Sequence, residues 1–322
     1  MKRAPQQVHI GYFGKIPTRA DFVKAADNVA LAGLLDQWLA EVMNRLTVDP
    51  RWKQHYDGLR PLHFAFVGTR SRHAVAGHLI ASSDQSQRRY PFMQFSTIDI
   101  DAPRSFLPEC PLVLAPLWQT MTVLAADVLA AGDPAQALHT LALFSLELDP
   151  AAPLHHAASH AFLGECTLDR LAGLLGCASA SQIVLALGLL LQPVRRSGEA
   201  CLEKSLALPL PRGADEGFAV AAFWLALMLP FLQQADFELA LFFTEVNARP
   251  ALVIGFGGAA PETLQAIVDP YCAGEFQINF DDTSWVEDML NSDPALQTLA
   301  ACMAQGGLSL GAVLPLFHHA FA

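Results

Sequence analysis

Charge is scarce in this sequence. Only 16% of its 322 residues are Asp, Glu, Lys or Arg, and the basic share is the smaller one, 20 against 31 acidic residues. The formal net charge of −11 and the pI near 5.4 leave no positive footprint for non-specific binding to nucleic acid or to an anionic membrane, and point toward a basic protein partner. Cysteine pairs are missing as well. Cys110, Cys166, Cys177, Cys201, Cys272 and Cys302 are scattered with no C-x-x-C among them, which argues against a disulfide framework or a zinc site and fits buried thiols in a reducing cytoplasm. There is no H-E-x-x-H helix, and no serine, cysteine or threonine stands with a histidine in a recognisable catalytic context. No catalytic residue, metal or cofactor is therefore expected.

Apolar residues are plentiful. They make up 52% of the chain, with a mean hydropathy of +0.31, which excludes disorder over most of its length. Met1-Lys2-Arg3 has the charge of a secretory leader, but the residues after it supply no apolar run, so export by that route is not expected. Residues 218–232 and 111–131 are the most membrane-like. The first is short and contains Pro230, and the second is interrupted by Gln119, Thr120, Thr122 and Asp127; both read as buried core helices, with no membrane span.

The spacing predicts a strand over residues 8–13, then a tight turn delivering Asp21 and Phe22 to the next element. Leu31, Leu34, Leu35, Trp38, Leu39, Val42, Met43 and Leu46 recur at steps of three and four, an amphipathic helix of about eighteen residues. Residues 62–67 and 74–80 read as a hairpin with a basic tip, and 92–98 as the neighbouring strand. Helices are expected over 111–131, 134–148, 168–175 and 183–191, with a modest strand at 206–210. Strands return at 238–245 and 251–256 around a hairpin at Asn247-Ala248-Arg249-Pro250; helices 261–268 and 284–290 follow, with a strand near 276–280 between or beside them. Residues 195–199 and 209–213 read as exposed loops. Six or seven strands with helices before, between and after them predict an α/β fold: a three-layer α/β/α sandwich around a mixed, largely antiparallel sheet. The whole of 1–322 is expected to form a single domain with a mainly helical middle segment at about 103–216.

Two short segments carry the most specific signal. The first is Gly11-Tyr12-Phe13-Gly14-Lys15-Ile16-Pro17-Thr18-Arg19-Ala20-Asp21-Phe22, and the second Ser82-Ser83-Asp84-Gln85-Ser86-Gln87-Arg88-Arg89-Tyr90-Pro91. The first resembles the G-x-x-G-K-x-P-x-x-G-D-F opening of the TagF (ImpM) family of type VI secretion accessory proteins, through Gly11, Gly14, Lys15, Pro17, Asp21 and Phe22, with Ala20 in place of a glycine. The second resembles that family's S-x-D-x-x-G-R-x-[YF]-P segment through Asp84, Arg88, Tyr90 and Pro91, with Gln87 in place of a glycine. A looser likeness lies at Leu241-Phe242-Phe243-Thr244 and the glycine turn after it. The resemblance implies the same three-layer fold. It also implies a cytoplasmic, non-enzymatic regulator that represses secretion assembly after translation by contact with the system's forkhead-associated scaffold protein.

The residues themselves leave other readings open. Lys15 follows two glycines but lacks the spacing and the Ser/Thr of a phosphate-binding loop, so an ion pair with Asp21 is expected of it. Arg19, Arg70, Arg72, Arg88 and Arg89 belong to neighbouring parts of one meander and read first as a solvated loop face; were they to converge, they would form a partner-docking patch or, alternatively, a small-anion or ligand-sensing site. His155, His156 and His160 with Glu165 and Cys166 have a spacing that invites a metal, without the partners that would complete a site. His318 and His319 read as tail. Asp99, Asp101, Asp281 and Asp282 read as capping and surface carboxylates.

Overall fold

The computed structural model of the chain describes residues 5–197, 202–290 and 293–321. Its strands are β1 (Gln6–His9), β2 (Gly11–Gly14), β3 (Val23–Ala25), β4 (Leu62–Gly68), β5 (His73–Ile80), β6 (Phe92–Asp99), β7 (Ser145–Leu148), β8 (Ser205–Pro209), β9 (Glu238–Val246), β10 (Arg249–Gly255) and β11 (Gln277–Asn279). Nine of these form one sheet in the order β11-β8-β10-β9-β4-β5-β6-β2-β3, and β1 and β7 form a separate ribbon. The pairs in the large sheet are antiparallel except β11 with β8. The expected mixed, largely antiparallel sheet is therefore present. It joins early and late sequence, because β4 pairs with β9 from His63 opposite Phe243 to Gly68 opposite Glu238.

The central strands are apolar on both faces because both faces are covered. Along β9, Leu239, Leu241 and Phe243 enter one core while Ala240 and Phe242 enter the other, the period-two alternation of a pleated strand. On one face lie α1 (Val29–Leu46), the short α2 (Trp52–Asp57), and, later in the chain, α9 (Pro261–Val268) and α10 (Pro270–Phe276). Trp38 of α1 anchors this layer against Phe64, Phe66 and Phe242. On the other face lie α3 (Pro103–Ala130), α4 (Ala135–Leu143), α5 (Pro153–Glu165), α6 (Leu168–Leu175), α7 (Ala180–Ser197) and α8 (Ala214–Leu232). Chain order is completed by α11 (Trp285–Leu290), α12 (Pro294–Met303) and α13 (Leu310–Ala320), which pack on that second side. Each fully buried Leu or Phe contributes roughly 1.5–3 kcal/mol, so these two cores are the main source of stability.

By length and composition α3 and the Asp215–Leu232 part of α8 are apolar enough to cross a membrane. In the fold they pack on one another, with Trp118 of α3 stacked on Phe218 of α8 at 5.6 Å, and Val220, Phe223, Trp224 and Leu227 are fully buried.

Several boundaries differ from the sequence-based expectation. The strand expected over 8–13 is two strands, since the chain leaves the β1–β7 ribbon at Ile10 and joins β6 from Gly11. Helix α3 begins at Pro103, earlier than expected, and runs through Pro108, Pro111 and Pro116. Packing of Phe106, Leu107, Cys110, Val113 and Leu114 outweighs the backbone hydrogen bonds those prolines forfeit. The helix expected over 134–148 stops at Leu143, because Ser145–Leu148 pairs with β1 and turns Leu148 inward. The polar stretch after 149 contains a full helix, α5, and α7 continues to Ser197 through part of an expected loop whose remainder lies outside the described residues.

The β9–β10 hairpin turns on Asn247 and Ala248, both left-handed, with φ of +51° and +59°. A two-residue turn of this hand matches strand twist but suits glycine at its second position. Ala248→Gly is expected to raise the unfolding free energy by about 1 kcal/mol, read from the urea midpoint. A lower midpoint would contradict the left-handed turn.

Candidate functional site

The two motif segments meet at the β2–β6 end of the sheet. Gly14 ends β2 opposite Phe92, and its φ of +133° is accessible only to glycine. A Cβ there would lie 2.0 Å from the Pro91 carbonyl oxygen and 2.8 Å from Phe92 Cα. Gly11 is also tight, its would-be Cβ 2.8 Å from the Phe95 ring. This close approach of backbones brings Lys15 beneath the 82–91 loop.

At the centre of that loop Asp84 is fully buried, and its carboxylate is saturated by four donors. Lys15 Nζ lies 3.0 Å and Arg88 Nε 2.7 Å from Oδ2, while the backbone N–H groups of Ser86 and Arg88 donate to Oδ1, each at 2.9 Å. Burial alone would push the Asp84 carboxyl up, but the Arg88 backbone N–H, Lys15 and the Arg88 guanidinium together hold it well below the usual carboxylate range. Arg88 also donates through Nη2 to the Ala20 carbonyl at 2.9 Å, and the Gln85 N–H donates to the Arg19 carbonyl at 2.9 Å. Turn and loop are thus stitched together by one buried carboxylate and its cations.

The expected Lys15–Asp21 pair is not formed. Lys15 is buried and turned to Asp84, whereas Asp21 is exposed. Phe22 beside it is half exposed, at 50%, with its ring edge-on to Tyr90 at 4.9 Å and the Lys15 ammonium 5.3 Å from its centre. Tyr90 is buried, and its hydroxyl donates to Asp36 Oδ1 of α1 at 2.5 Å. Burial, then the Asp36 carboxylate, push that phenol far up. Pro17 lines a neighbouring cavity of about 350 Å³ with Tyr56, Asp57, Ser82, Arg89 and Leu129.

The two glycine departures are now explicable. Ala20 has a negative φ and needs no special freedom, whereas Gln87 is left-handed at +61°, the conformation a glycine would adopt without strain.

The five arginines do not converge. Arg70 and Arg72 sit at the β4–β5 tip and Arg88 and Arg89 beyond the other end of β5, an eight-residue strand that separates them by roughly 26 Å. Arg88 is held by Asp84, Arg89 forks onto Asp57 at 2.7 and 2.6 Å, and Arg19 pairs with Asp133 at 3.1 Å. Each guanidinium at this end therefore already faces a carboxylate.

Residues 11–143 match the family model of the TagF N-terminal domain, described as type VI secretion system-associated. This part of the chain is similar to a TagF N-terminal domain. The match contains both motif segments and the strands β2 to β6 that bring them together, and ends before the looser likeness at Leu241. Among solved structures, the crystal structure of PA0076 from Pseudomonas aeruginosa PAO1 is similar at 20% identity, covering 47% of this chain and 77% of that one, with a TM-score of 0.36. No curated protein matches the chain.

Away from the two motif segments the other candidate chemistry disperses. In α5, His156 Nδ1 lies 2.7 Å from Glu109 Oε1 and its ring 6.5 Å from that of His160, while Cys166 is buried with its thiol toward the Thr167 carbonyl. His318 is no loose tail residue: Nε2 lies 3.1 Å from the Ala226 carbonyl of α8. Gly307-Leu308-Ser309-Leu310-Gly311 fits the G-x-S-x-G pattern of a nucleophile elbow. Ser309 instead caps α13, its Oγ accepting from the Ala312 N–H at 3.3 Å. Sequence reasoning also missed Asp36 and Asp57, the partners of Tyr90 and Arg89, because nothing local marks residues that meet only through the sheet.

Proposed function

We propose that the chain is a cytoplasmic, non-enzymatic repressor of type VI secretion assembly that acts, as one folded unit, by contact with the forkhead-associated scaffold protein. The observation that carries this reading is the division of labour inside the motif. Gly14, Lys15, Asp84, Arg88 and Tyr90 face one another and shape the turn, while Asp21 and Phe22 are presented to solvent beside the edge strand β3. A half-exposed aromatic ring on a rigid, ion-paired base is a suitable anchor for a protein partner. The acidic side chains of Asp21, next to it in the chain, and Asp36, bonded to the Tyr90 it packs on, together with the net charge of −11, favour a basic contact surface on that partner. Engagement of Arg19, Arg88 and Arg89 by carboxylates weighs against the small-anion alternative.

Substitutions at the exposed pair separate binding from folding. Phe22→Ala and Asp21→Lys are expected to leave the melting temperature within about 2 °C while weakening calorimetric binding to the scaffold protein at least about tenfold. Unchanged affinity in both variants would refute the assignment of this edge. Charge reversal at Lys15 or Arg88 would instead strand a buried charge and report on folding.

A further inference from the structure

We propose a divalent transition-metal site, of the zinc or cobalt class, formed by Asp49, His55 and Asp269 on the helical layer that covers the α1 side of the sheet. Their ligand atoms lie within 4.8 Å of one another, and among the described residues no other set of three His, Cys, Asp or Glu side chains meets so closely. The residues come from distant parts of the chain. Asp49 follows α1, His55 lies in α2, and Asp269 joins α9 to α10.

Two observations point to a cation at this place. His55 Nδ1 is buried and has no hydrogen-bond partner, though it lies 3.5 Å from Asp269 Oδ1. Two ligands of one tetrahedral zinc, each about 2.0–2.1 Å from the metal, are separated by roughly 3.4 Å, so a shared ion satisfies the orphaned nitrogen with little movement. The second observation is the spare acceptor capacity of both carboxylates. Asp49 Oδ1 takes the Arg51 N–H and Nε, but Oδ2 takes only Arg51 Nη2; Asp269 Oδ1 takes the Tyr271 N–H, and Oδ2 the Cys272 thiol. Each carboxylate thus keeps a free lone pair. Arg51 stacked on Tyr271 and the thiol donating to Asp269 hold the carboxylates in place, as outer partners of metal ligands do.

One nitrogen and two carboxylate oxygens select zinc, cobalt or manganese over calcium and magnesium, which prefer oxygen alone. Bound metal would fasten the α1–α2 connection to the α9–α10 junction.

The test uses the full chain at pH 7.5, titrated with Zn²⁺ by calorimetry and with Co²⁺ by visible absorption. The expected result is one ion per chain, with Kd at or below about 10 μM, and a higher melting temperature in Zn²⁺. His55→Ala is expected to weaken binding at least about tenfold, and Asp49→Asn in the same direction. The double variant His156→Ala/His160→Ala, which removes an exposed imidazole pair on α5, is expected to bind as the parent does. No binding at 100 μM Zn²⁺ (about −5.5 kcal/mol), unchanged binding in a folded His55→Ala protein, or loss of binding in the His156/His160 variant would overturn the site. Asp269 also caps α10, so the decision rests on His55 and Asp49.

Discussion

Gly14→Ala is expected to destabilise the protein by at least about 3 kcal/mol, because two independent constraints fail at once. The backbone at this position has a φ of +133°, outside the regions an L-residue with a side chain occupies without strain. The new methyl would also stand 2.0 Å from the Pro91 carbonyl oxygen, and that atom is held by the β2–β6 pairing and cannot rotate away as a side chain could. Relief requires opening the strand pair, which drags Lys15 from Asp84 and exposes a carboxylate that the fold keeps ionised and buried. Gly33→Ala supplies the control. Gly33 lies in α1 with nothing within 4 Å of a would-be Cβ, so alanine there is expected to add about 0.5–1 kcal/mol through helix propensity. Urea denaturation of both variants checks the pair. Equal, small changes would mean that the turn is free to relax and that the close approach of the two motif segments is not structurally required.

How legible an element is in the sequence follows the range of the contacts that decide it. Elements whose side-chain pattern is set by their own neighbours were read well. The α1 periodicity through Leu35, Trp38, Leu39 and Val42 gave the observed Val29–Leu46 helix, and the β4–β5 hairpin, β9 and β10 lie close to their expected bounds. Elements decided by distant packing were not. Pro108 and Pro111 are breakers by local rule yet sit inside a buried helix, and Ser145–Leu148 takes its strand conformation from β1, far earlier in the chain, with His9 opposite Ser145 and Gln6 opposite Leu148. Lys15 shows the same limit at the site. Asp21 is six positions away and was the expected partner, but the strand leaving Gly14 turns the lysine toward Asp84, 69 positions on. The juxtaposition of the two motifs was visible only because a family resemblance supplied both; no periodicity encodes it. Ion pairing across a sheet depends on register, and register is a property of the whole assembly.

Lowering the pH from 7 to 5 is expected to cost the protein at least about 2 kcal/mol of stability, with His63 and His78 as the main cause. The β4–β5 register places these two residues directly opposite one another, and their Nδ1 atoms are 3.1 Å apart. His63 stacks on Trp118 at 5.5 Å, and His78 is almost fully buried, so the pair sits between the sheet and α3. A single proton can bridge the two nitrogens when both rings are neutral; a second proton would put two cations in contact inside an apolar layer. Burial, then the neighbouring His78, push His63 down to about 3, and burial pushes His78 down to about 4. In the unfolded chain both titrate near 6.5. Between about pH 6.5 and 4 the unfolded state therefore binds protons that the folded state refuses, so stability rises with pH in this window and is lost as pH falls through it. Each histidine adds a slope of about 1.4 kcal/mol per pH unit while its protonation is confined to the unfolded chain. Depressed carboxylates such as Asp57 and Asp84 act only below about pH 4, outside the window, and His318, also pushed down by burial, adds a smaller contribution of the same sign. His63→Phe/His78→Leu keeps apolar volume against Trp118 while removing both titrations, and is expected to flatten most of the dependence between pH 7 and 5. Denaturant midpoints of parent and double variant at the two pH values measure it. An equal slope in both proteins would place the acid sensitivity elsewhere and show that water reaches the histidine pair.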